Sequence, residues 1–360
     1  QQGGGAGDAR INVRGFNQRN VAVMINGVPQ NDMENGWVYW SNWDGVADAA
    51  QSIQLQRGLS AVNLATPSIG GTMNIITNPA GAEKGGKFKQ EGGAGNFLKT
   101  TFNYNTGLMM GDKLALSGTL VRKTGDGIID ATWTDAWAYY LGSSFQMNEN
   151  NRFELYAIGA PQRHGQNLYK QNIATYSQEL AGDVDGYDVT AFAEGNKFET
   201  EAGRTFNQNW GNVSSDYKGK QYWYMYGVGG LFGGGNQDRY NSGFLNEREN
   251  FFHKPLVNLN HFMTINEKTR LSSVLYWSGG SGGGTGTYGS SFRKPAVDGQ
   301  KWYRSSPWGW DWDAAIATNS NNVDANFHAT QNRSKGILRN SINRQDTYGL
   351  ISKLNYEVSD

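Results

Sequence analysis

Most of this chain alternates between apolar and small or polar residues with a period of two, and this pattern limits what it can fold into. Between Leu98 and Leu108, one face carries Leu, Phe, Tyr and Thr side chains and the other carries Lys, Thr, Asn and Gly. Successive side chains of a β-strand point to opposite faces, and strands of about ten residues cross membranes in barrels. Eight such segments are predicted, at about 87–92, 98–108, 114–121, 137–147, 152–159, 255–265, 270–278 and 347–358.

The connections between these segments are of two kinds. Tight turns are predicted at "MMGDK" (109–113), "MNENN" (147–151) and "INEKT" (265–269), and long loops at about 125–135, 160–253 and 279–345. Strict alternation of short and long connections is typical of outer-membrane barrels, whose strands pair in a closed ring because hydrocarbon offers backbone groups no hydrogen-bond partner. A soluble antiparallel sandwich also alternates, but sandwiches rarely carry two loops of such length.

Composition narrows the class of protein further. The chain has 32 basic and 32 acidic residues, 18% charged residues, 13% aromatic residues and no cysteine. This balance of charge argues against a nucleic-acid partner. No apolar stretch approaches the roughly 20 residues that a transmembrane helix needs, so spanning helices are excluded.

A compact unit precedes the alternating region. The stretch "PSIGGTMNIITNP" (67–79) predicts one short buried strand, and a short helix capped by Asp44 is predicted before it. A barrel of eight strands is filled by its own side chains, so a unit of about 80 residues inside a barrel requires more strands. The chain begins inside a motif and stops just after a strand, so we expect it to be an internal piece of a longer precursor.

Four ordered motifs in the compact unit carry a resemblance. Their order and spacing resemble the second half of the plug domain of TonB-dependent outer-membrane receptors. With the aromatic insert "NDMENGWVYWSNWDG" (31–45), the unit is most similar to receptors of the Bacteroidetes type, including relatives of SusC and RagA. The motifs are Arg14-Gly15, Asn26-Gly27-Val28-Pro29, Arg57-Gly58, and Gly70-Gly71 followed by Asn74-Ile75-Ile76-Thr77.

The resemblance implies a fold, a location and partners. Residues 1–80 would form the C-terminal half of an α+β plug inside the lumen, and residues 81–360 the N-terminal part of an all-β transmembrane barrel of about 22 strands. The location would be the outer membrane, in contact with its lipid. TonB would be a partner through an upstream segment, and a surface lipoprotein of SusD type is a candidate partner. No cofactor is implied.

Arg14 and Arg57 are the candidate residues for locking the plug to the wall. In the family such arginines face glutamates of the barrel wall, which here would lie beyond residue 360. The alternative is that both arginines are exposed and lock nothing. The other plug-motif positions are Gly15, Asn26, Gly27, Gly58, Gly70, Gly71 and Asn74, whose glycines permit tight turns with positive φ.

Two aromatic clusters are candidate ligand contacts. Flat aromatic faces suit sugar, peptide or chelate ligands, but the same rings can instead pack plug against wall or loop against loop. The first cluster, on the insert that in the family rises toward the extracellular side, is Trp37, Tyr39, Trp40 and Trp43. The second, in the loop stretch "WYRSSPWGWDWD" (302–313), is Trp308, Trp310 and Trp312.

No enzyme is predicted from the motifs. "GTGTYG" (284–289) fits a dinucleotide-binding pattern, but no helix follows it, so it is predicted to be a flexible loop. "DVDGYD" (183–188) lacks the order of an EF-hand calcium loop, and the four histidines lack metal-ligand spacing. Neither a cofactor nor a metal site is predicted.

TonB-dependent import of a ligand is the leading functional hypothesis. It leads us to expect a plug held by polar contacts, which can exchange with water when the plug moves, more than by an apolar interface. A receptor-like outer-membrane scaffold without transport is the alternative, and a soluble adhesin-like sandwich is a third. The sequence does not specify the ligand, because tryptophan-rich loops suit glycans, peptides, haem or siderophores alike.

Overall fold

The computed structural model describes residues 8–58, 68–214, 217, 219–223, 234–290, 292–301 and 306–358 of the 360-residue chain. Within these ranges the chain forms a small N-terminal unit, called the plug here, and one large antiparallel sheet, called the wall. None of the helices in the described ranges is long and apolar enough to cross a membrane.

The plug is built on a four-stranded sheet in the order β4-β3-β6-β5. β3 and β6 pair in parallel, and the other neighbours are antiparallel. All five residues of β3 are buried, so β3 is the centre of the plug core. The elements are β1 (Asn12–Val13), β2 (Phe16–Asn17), β3 (Val21–Ile25), β4 (Val28–Pro29), α1 (Val46–Ala49), β5 (Ser52–Arg57) and β6 (Gly71–Ile76).

Tight turns shape the plug at two of the predicted motifs. Arg14 and Gly15 both have positive φ and join β1 to β2, and Asn26 and Gly27 do the same between β3 and β4. Positive φ at both central residues matches the twist of the flanking strands, and Asn-Gly adopts it most readily. Arg14 also adopts this left-handed conformation, which is unfavourable by about 1–2 kcal/mol for a residue that has a Cβ.

The rest of the described chain consists of wall strands and the short elements of two large loops. In chain order these are β7 (Gly85–Gly93), β8 (Phe97–Met109), β9 (Leu114–Asp126), β10 (Trp133–Asn148), β11 (Asn151–Gly159), β12 (Gln162–Gly165), α2 (Ile173–Tyr176), α3 (Gln178–Gly182), β13 (Trp210–Asn212), β14 (Gln221–Trp223), β15 (Gly235–Gln237), β16 (Phe244–Asn246), β17 (Glu249–His253), β18 (Leu256–Asn266), β19 (Thr269–Gly289), β20 (Arg293–Pro295), β21 (Trp308–Trp310), α4 (Trp312–Asn321) and β22 (Gly336–Tyr356).

The wall strands pair in the order β7-β8-β9-β10-β11-β18-β19-β22. β12 continues β11 beyond Pro161, and β17 precedes β18 across Pro255, so both prolines interrupt neighbouring strands. Proline has no backbone N–H to give to a ladder, which explains the two breaks. The wall therefore has one end with short turns, called the turn end, and one with the large loops, called the loop end.

All eight predicted wall strands occur, and their faces alternate as the sequence predicts. On β9 the side chains that point toward the plug are buried, whereas Leu116 and Leu120 on the opposite face are exposed. On β22 the exposed outer side chains are those predicted from the sequence. The buried inner residues of β9 are Ala115, Ser117, Thr119 and Val121, and the exposed outer residues of β22 are Tyr348, Leu350, Leu354 and Tyr356.

Three expectations about the connections are wrong. "GTGTYG" (284–289) is not a flexible loop but the end of β19, because β22 pairs with β19 along its whole length. The second large loop is therefore shorter than predicted and runs from 290 to 335. Short and long connections do not alternate strictly either, because residues 94–96 join β7 to β8 at the loop end.

The two large loops fold against each other. β13 pairs with β16 inside the first loop, and β20 pairs with β21 inside the second. The Trp312 indole donates a hydrogen bond of 2.9 Å to the backbone oxygen of Leu245, which joins the second loop to the first. The loops therefore form an ordered unit above the wall in the described ranges.

Gly71 tests the packing of β6 against β5. It has a φ of +134°, and a Cβ there would lie 2.4 Å from the backbone oxygen of Gln56. Gly58 is a matched control, since it has a φ of +84° but open space around it. We expect Gly71→Ala to lower the free energy of unfolding of the plug by about 3 kcal/mol, and Gly58→Ala by about 1 kcal/mol.

The measurement is the urea concentration at which the plug becomes sensitive to protease in outer-membrane preparations. Equal midpoints for the two variants would contradict the close approach of Gly71 to β5.

Candidate functional site: the plug and wall interface

The plug core continues into the inner face of the wall. Buried plug residues share one apolar cluster with four buried wall residues on β10, β11 and β18. The expectation that polar contacts dominate this interface is therefore wrong at its centre, since these inner-wall positions are aromatic or aliphatic. The plug members are Val13, Val21, Val23, Ile25, Val28, Val38, Trp43, Val46 and Ile75, and the wall members are Tyr140, Tyr156, Ile158 and Leu256.

Gly45 is a point of close approach between the plug and the wall. It precedes α1 with a φ of +81°, and a Cβ there would lie 2.6 Å from the Cβ of Ala138 and 3.2 Å from Cγ2 of Val121. Small residues on both sides thus let the plug backbone touch β9 and β10. Sequence analysis missed this role, although the glycine next to the aromatic insert was a signal for it.

Two ion pairs flank this contact. Lys123 Nζ of β9 lies 2.6 Å from Asp44 Oδ2, and Lys99 Nζ of β8 lies 2.8 Å from Asp48 Oδ2. All four side chains are partly buried, and pairs of this kind contribute about 1 kcal/mol each. The predicted helix cap at Asp44 is wrong, because Gly45 holds the N-cap position of α1 and the Asp44 carboxylate binds the wall.

Hydrogen bonds join the plug to the wall next to the motif residue Asn26. The Asn26 side chain is buried, donates to Thr77 Oγ1 at 2.9 Å and accepts from the Thr77 backbone N–H at 2.9 Å. From the wall, Asn260 Nδ2 donates to the Asn26 backbone oxygen at 3.3 Å, and the Tyr156 hydroxyl, which donates to Glu154 Oε2 at 2.9 Å, lies 3.5 Å from the Thr77 backbone oxygen. Asn26 therefore links the turn between β3 and β4, the plug exit and the wall.

The remaining motif residues lie within the plug. Gly70 is buried, Gly71 begins β6, and Asn74 lies in β6 between Met24 of β3 and Gln54 of β5. Arg14 and Arg57 are exposed, and neither forms an ion pair with a carboxylate in the described ranges. Their locking role stays a prediction.

Asn31 organises the aromatic insert. Its Oδ1 accepts from the Val23 N–H at 2.9 Å, and its Nδ2 lies 3.0–3.2 Å from the backbone oxygens of Gln18, Val21 and Gly36. One half-buried side chain thus ties the insert to β3. Sequence reasoning missed Asn31, because its partners are set only by the folded insert.

The predicted aromatic residues of the insert have different environments. Trp43 is buried in the plug core, and the Trp40 indole donates to Gln18 Oε1 at 3.0 Å. Trp37 is half-buried beneath the Arg19 guanidinium, 4.5 Å from the ring centroid, whereas Tyr39 is 45% exposed. Of the four, Tyr39 is therefore the exposed ring, Trp37 and Trp40 are half-buried, and Trp43 is buried.

The loop tryptophans form a core instead of a surface. Trp308, Trp310 and Trp312 are 6%, 2% and 7% exposed; Trp310 stacks on Trp312 with ring centroids 5.1 Å apart and meets Trp308 edge to face at 5.3 Å. They pack with Val213 and Leu245 of the first loop. Loop packing is the role that this burial supports for them. Residues 302–305 of the same stretch lie outside the described ranges.

A cleft of about 670 Å³ separates the insert from the inner face of β19 and β22, near the middle of both strands. Charged groups of both units and the ring of Tyr276 from the wall line it, which suits a ligand with polar groups and some apolar surface. Gly36 of the insert also lines the cleft, and Trp37 follows it in the chain. Lining residues include Arg19, Asp32, Glu34, Lys254, Tyr276 and Gln345.

Comparisons with known proteins agree with this arrangement. Residues 1–72 match the family model described as the TonB-dependent Receptor Plug Domain. Two similar solved structures are the ferric-catecholate import receptor Fiu from E. coli K12 in its open form (14% identity, TM-score 0.54) and the siderophore receptor PiuA from Acinetobacter baumannii (10% identity, TM-score 0.52). Each alignment covers 99% of this chain, but only 42% and 38% of the respective receptor. No curated protein sequence matches the chain.

The fold and the interface define a class of protein: membrane barrels whose lumen holds a plug. Within that class, residues 1–72 match the plug domain of the TonB-dependent receptors, and the described wall has a fold similar to part of such a receptor's barrel. The match and the fold assign the chain to the outer membrane. The matched family and the two solved structures are receptors, which agrees with the lack of a catalytic motif in the sequence.

A charged trio marks the upper edge of the lipid-facing band. On the outer face, Asp135 lies 2.5 Å from Arg122 Nη2 and 2.6 Å from Arg163 Nε. Charges on the lipid face are costly inside hydrocarbon, so the band ends below this trio, near Trp137. Arg163 of this trio is paired in the sheet with Phe251 of β17. The beginning of β17 therefore lies at or above the same level, outside the spanning part of the wall.

A buried clasp holds the segment around β14 and β15 against the outer face above this band. The Arg163 guanidinium lies 3.9 Å from the centroid of Trp223, and Trp133 stacks on Tyr240 at 4.3 Å. These contacts cover the outer face where the wall extends past the lipid.

Glu249 is the titratable centre of the clasp. It is 4% exposed, and its Oε1 lies 4.0 Å from Arg239 Nη1. Burial raises the pKa of the Glu249 carboxyl to about 7, although the Arg239 and Arg163 guanidiniums oppose the rise. The clasped form therefore holds a proton that an opened loop would release.

We predict that a side chain at position 45 weakens the docking of the plug to the wall. Gly45→Ala adds a Cβ into Ala138 and strains a left-handed residue, so we expect it to destabilise plug docking by about 2–4 kcal/mol. Adding Ala138→Gly to this variant should recover the part of the docking stability that the clash removes, but not the part that the positive φ of residue 45 removes. Both effects are measured as the urea concentration at which half of the plug becomes sensitive to protease. If the effects of the two substitutions simply add in the double variant, residues 45 and 138 do not touch.

We predict that the stability of the clasp depends on pH through Glu249. Because the pKa of Glu249 is raised in the clasped form, its contribution to clasp stability is complete below its unfolded value and is lost as pH rises to about 7. We expect the clasp to weaken by about 3 kcal/mol between pH 4.5 and 8. Hydrogen exchange of residues 235–240 at these pH values measures it, and Glu249→Gln should remove the dependence. An unchanged slope in Glu249→Gln would exclude Glu249 as the titrating group.

Proposed function

We propose that this chain is part of a TonB-dependent importer, in which displacement of the plug opens a path for a ligand across the outer membrane. The observation that carries the proposal is the apolar core shared by the plug and the inner wall. A domain packed in this way inside a wall blocks the lumen until it moves.

The composition of the interface supports an energised mechanism. Ion pairs such as Asp44–Lys123 can exchange with water at small cost when the plug moves. The apolar cluster cannot, because exposing it loses roughly 25 cal/mol for each Å² that water reaches. Opening therefore needs external work, and TonB pulling on the plug through a segment upstream of this chain is the proposed source.

We propose that further strands complete the wall to a ring of about 22. In the described ranges the wall is an open sheet with β7 and β22 at its edges, and open edges cannot stand in hydrocarbon. β5 also leaves Ile53 and Leu55 about half exposed on the plug. The added strands would cover this face and supply glutamates for Arg14 and Arg57.

The proposed ligand site is the cleft between the insert and β19 and β22, and Trp37 and Tyr39 are candidate contacts because they lie on the insert that forms one of its walls. Of the two solved structures named above, one is of a ferric-catecholate import receptor and the other of a siderophore receptor. Further proposals are the SusC/RagA type, which rests on the aromatic insert, and a SusD-type lipoprotein above the folded loops.

A reversible tether between plug and wall tests the import mechanism. A Cβ at Gly27 would lie 3.8 Å from Cγ2 of Val274, and the chain has no cysteine of its own. We expect Gly27→Cys with Val274→Cys, once oxidised, to reduce growth to the level of the deletion strain wherever deletion slows growth. Reductant should restore it. The matched control is Ser273→Cys with Ser352→Cys, which joins two wall strands whose hydroxyls lie 2.8 Å apart.

Full growth with the tether formed would overturn displacement of the plug from β19 as a step of import. A deletion that affects no growth condition but dissolves an outer-membrane complex would favour the scaffold function.

A further inference from the structure

Buried polar atoms of the clasp lack hydrogen-bond partners. The Trp223 indole N–H and the Nε and Nη1 groups of Arg239 reach no acceptor among the described residues, and Glu249 Oε2 meets no donor there. Trp223 is 6% exposed, and the Arg239 side chain is 9% exposed. An unpaired buried donor is costly, most of all when it is charged, so these groups need a further partner.

The Glu249 carboxylate does not satisfy the donors of Arg239. Its Oε1 lies 4.0 Å from Arg239 Nη1, which is beyond hydrogen-bond distance. The Arg239 guanidinium is therefore held beside a negative charge but can still donate to a third group.

The charge in the clasp favours an anion as that third group. The guanidiniums of Arg239 and Arg163 both act on the Glu249 carboxylate. Asp135 pairs with Arg163 at 2.6 Å and with Arg122 at 2.5 Å, so two guanidiniums share one carboxylate. Three guanidiniums thus stand against the two carboxylates of Asp135 and Glu249, which leaves an excess of one positive charge.

Other charged groups near the clasp have partners of their own. Lys220 pairs with Asp238 at 3.1 Å at the exposed margin. The Asp126 carboxylate accepts from the Tyr240 hydroxyl at 3.0 Å and from the Asn96 amide at 2.8 Å. These groups therefore do not cancel the positive charge beside Arg239.

The surroundings limit the size of the anion. Gln221 of β14 lies beside Glu249, and both side chains are 4% exposed. On the other side, the Trp223 ring covers the Arg163 guanidinium at 3.9 Å. A ligand enclosed in this way has to be small, and the indole and guanidinium N–H groups supply the donors that an anion needs.

We propose that the clasp binds a small inorganic anion, such as chloride, between Arg239 and Trp223, and that this anion holds the segment around β14 and β15 on the wall. The site lies on the outer face, apart from the plug and the lumen. The proposal therefore does not depend on import and can fail while the import mechanism stands.

Hydrogen exchange of residues 235–240 tests the proposal in the purified full-length protein in a neutral detergent. Exchange at pH 8 is compared in sodium chloride and sodium gluconate of equal ionic strength, because gluconate is too large for an enclosed site. An anion that binds only the clasped form slows exchange through opening by a factor that grows with its concentration. We expect chloride to slow exchange about threefold.

Glu249→Gln should strengthen this effect. Because the pKa of Glu249 is about 7, its carboxylate is ionised at pH 8 and competes with the anion for Arg239. Removing this charge should raise the chloride effect to about tenfold. Equal exchange in the two salts in both chains would overturn the anion site, and so would a chloride effect that does not grow in Glu249→Gln.

Further substitutions in the Glu249→Gln chain locate the anion. We expect Arg239→Gln to abolish the chloride effect and Trp223→Phe to weaken chloride binding about 3- to 10-fold. The matched control is Trp310→Phe, which removes another buried indole N–H that has no partner among the described residues but lies in the loop core. It should leave the chloride effect unchanged.

The quantity compared is the ratio of the exchange rates in the two salts within each variant. A general loss of clasp stability therefore does not mimic a loss of anion binding. A chloride effect that survives Arg239→Gln, or that Trp310→Phe lowers as much as Trp223→Phe does, would overturn the assigned site.

Discussion

This structure depends on one constraint. Every backbone N–H and C=O group of the wall needs a hydrogen-bond partner inside the sheet. It explains why β19 and β22 pair residue by residue over their whole length, even through a glycine-rich stretch that has few side chains to pack. Once the ladder is satisfied, the outer face can be apolar and exposed, as at Leu350 and Leu354. The inner face is then free to carry the contacts that hold a plug.

Those inner contacts are not uniform, and the difference bears on function. The plug is packed against β10, β11 and β18 through aromatic and aliphatic side chains, with Gly45 in direct contact with Ala138. On the β7 to β9 side the plug presents alanines to a polar wall across an open groove. Separation of the plug from the polar side would therefore expose less apolar surface than separation from the packed side.

The large features of the fold could be predicted from the chain, and the site only in part. The eight wall strands and their faces follow from alternation, and the turn at Asn26-Gly27 follows from the φ preferences of that pair. The tryptophans at 308, 310 and 312 were candidates for ligand contact, yet they are buried in a loop core. Composition shows that aromatic rings are present but not whether a second loop will cover them.

The sequence by itself determined the local geometry: which residues alternate along a strand, where a glycine allows a positive φ, and where Pro161 and Pro255 stop a ladder. The tertiary structure decided which distant groups meet. Asp44 and Lys123 are 79 residues apart and form an ion pair only because the plug lies inside the wall. The physical reason is that strand periodicity and turn preference act between near neighbours in the chain, whereas packing and charge pairing act between groups that only the complete fold brings together.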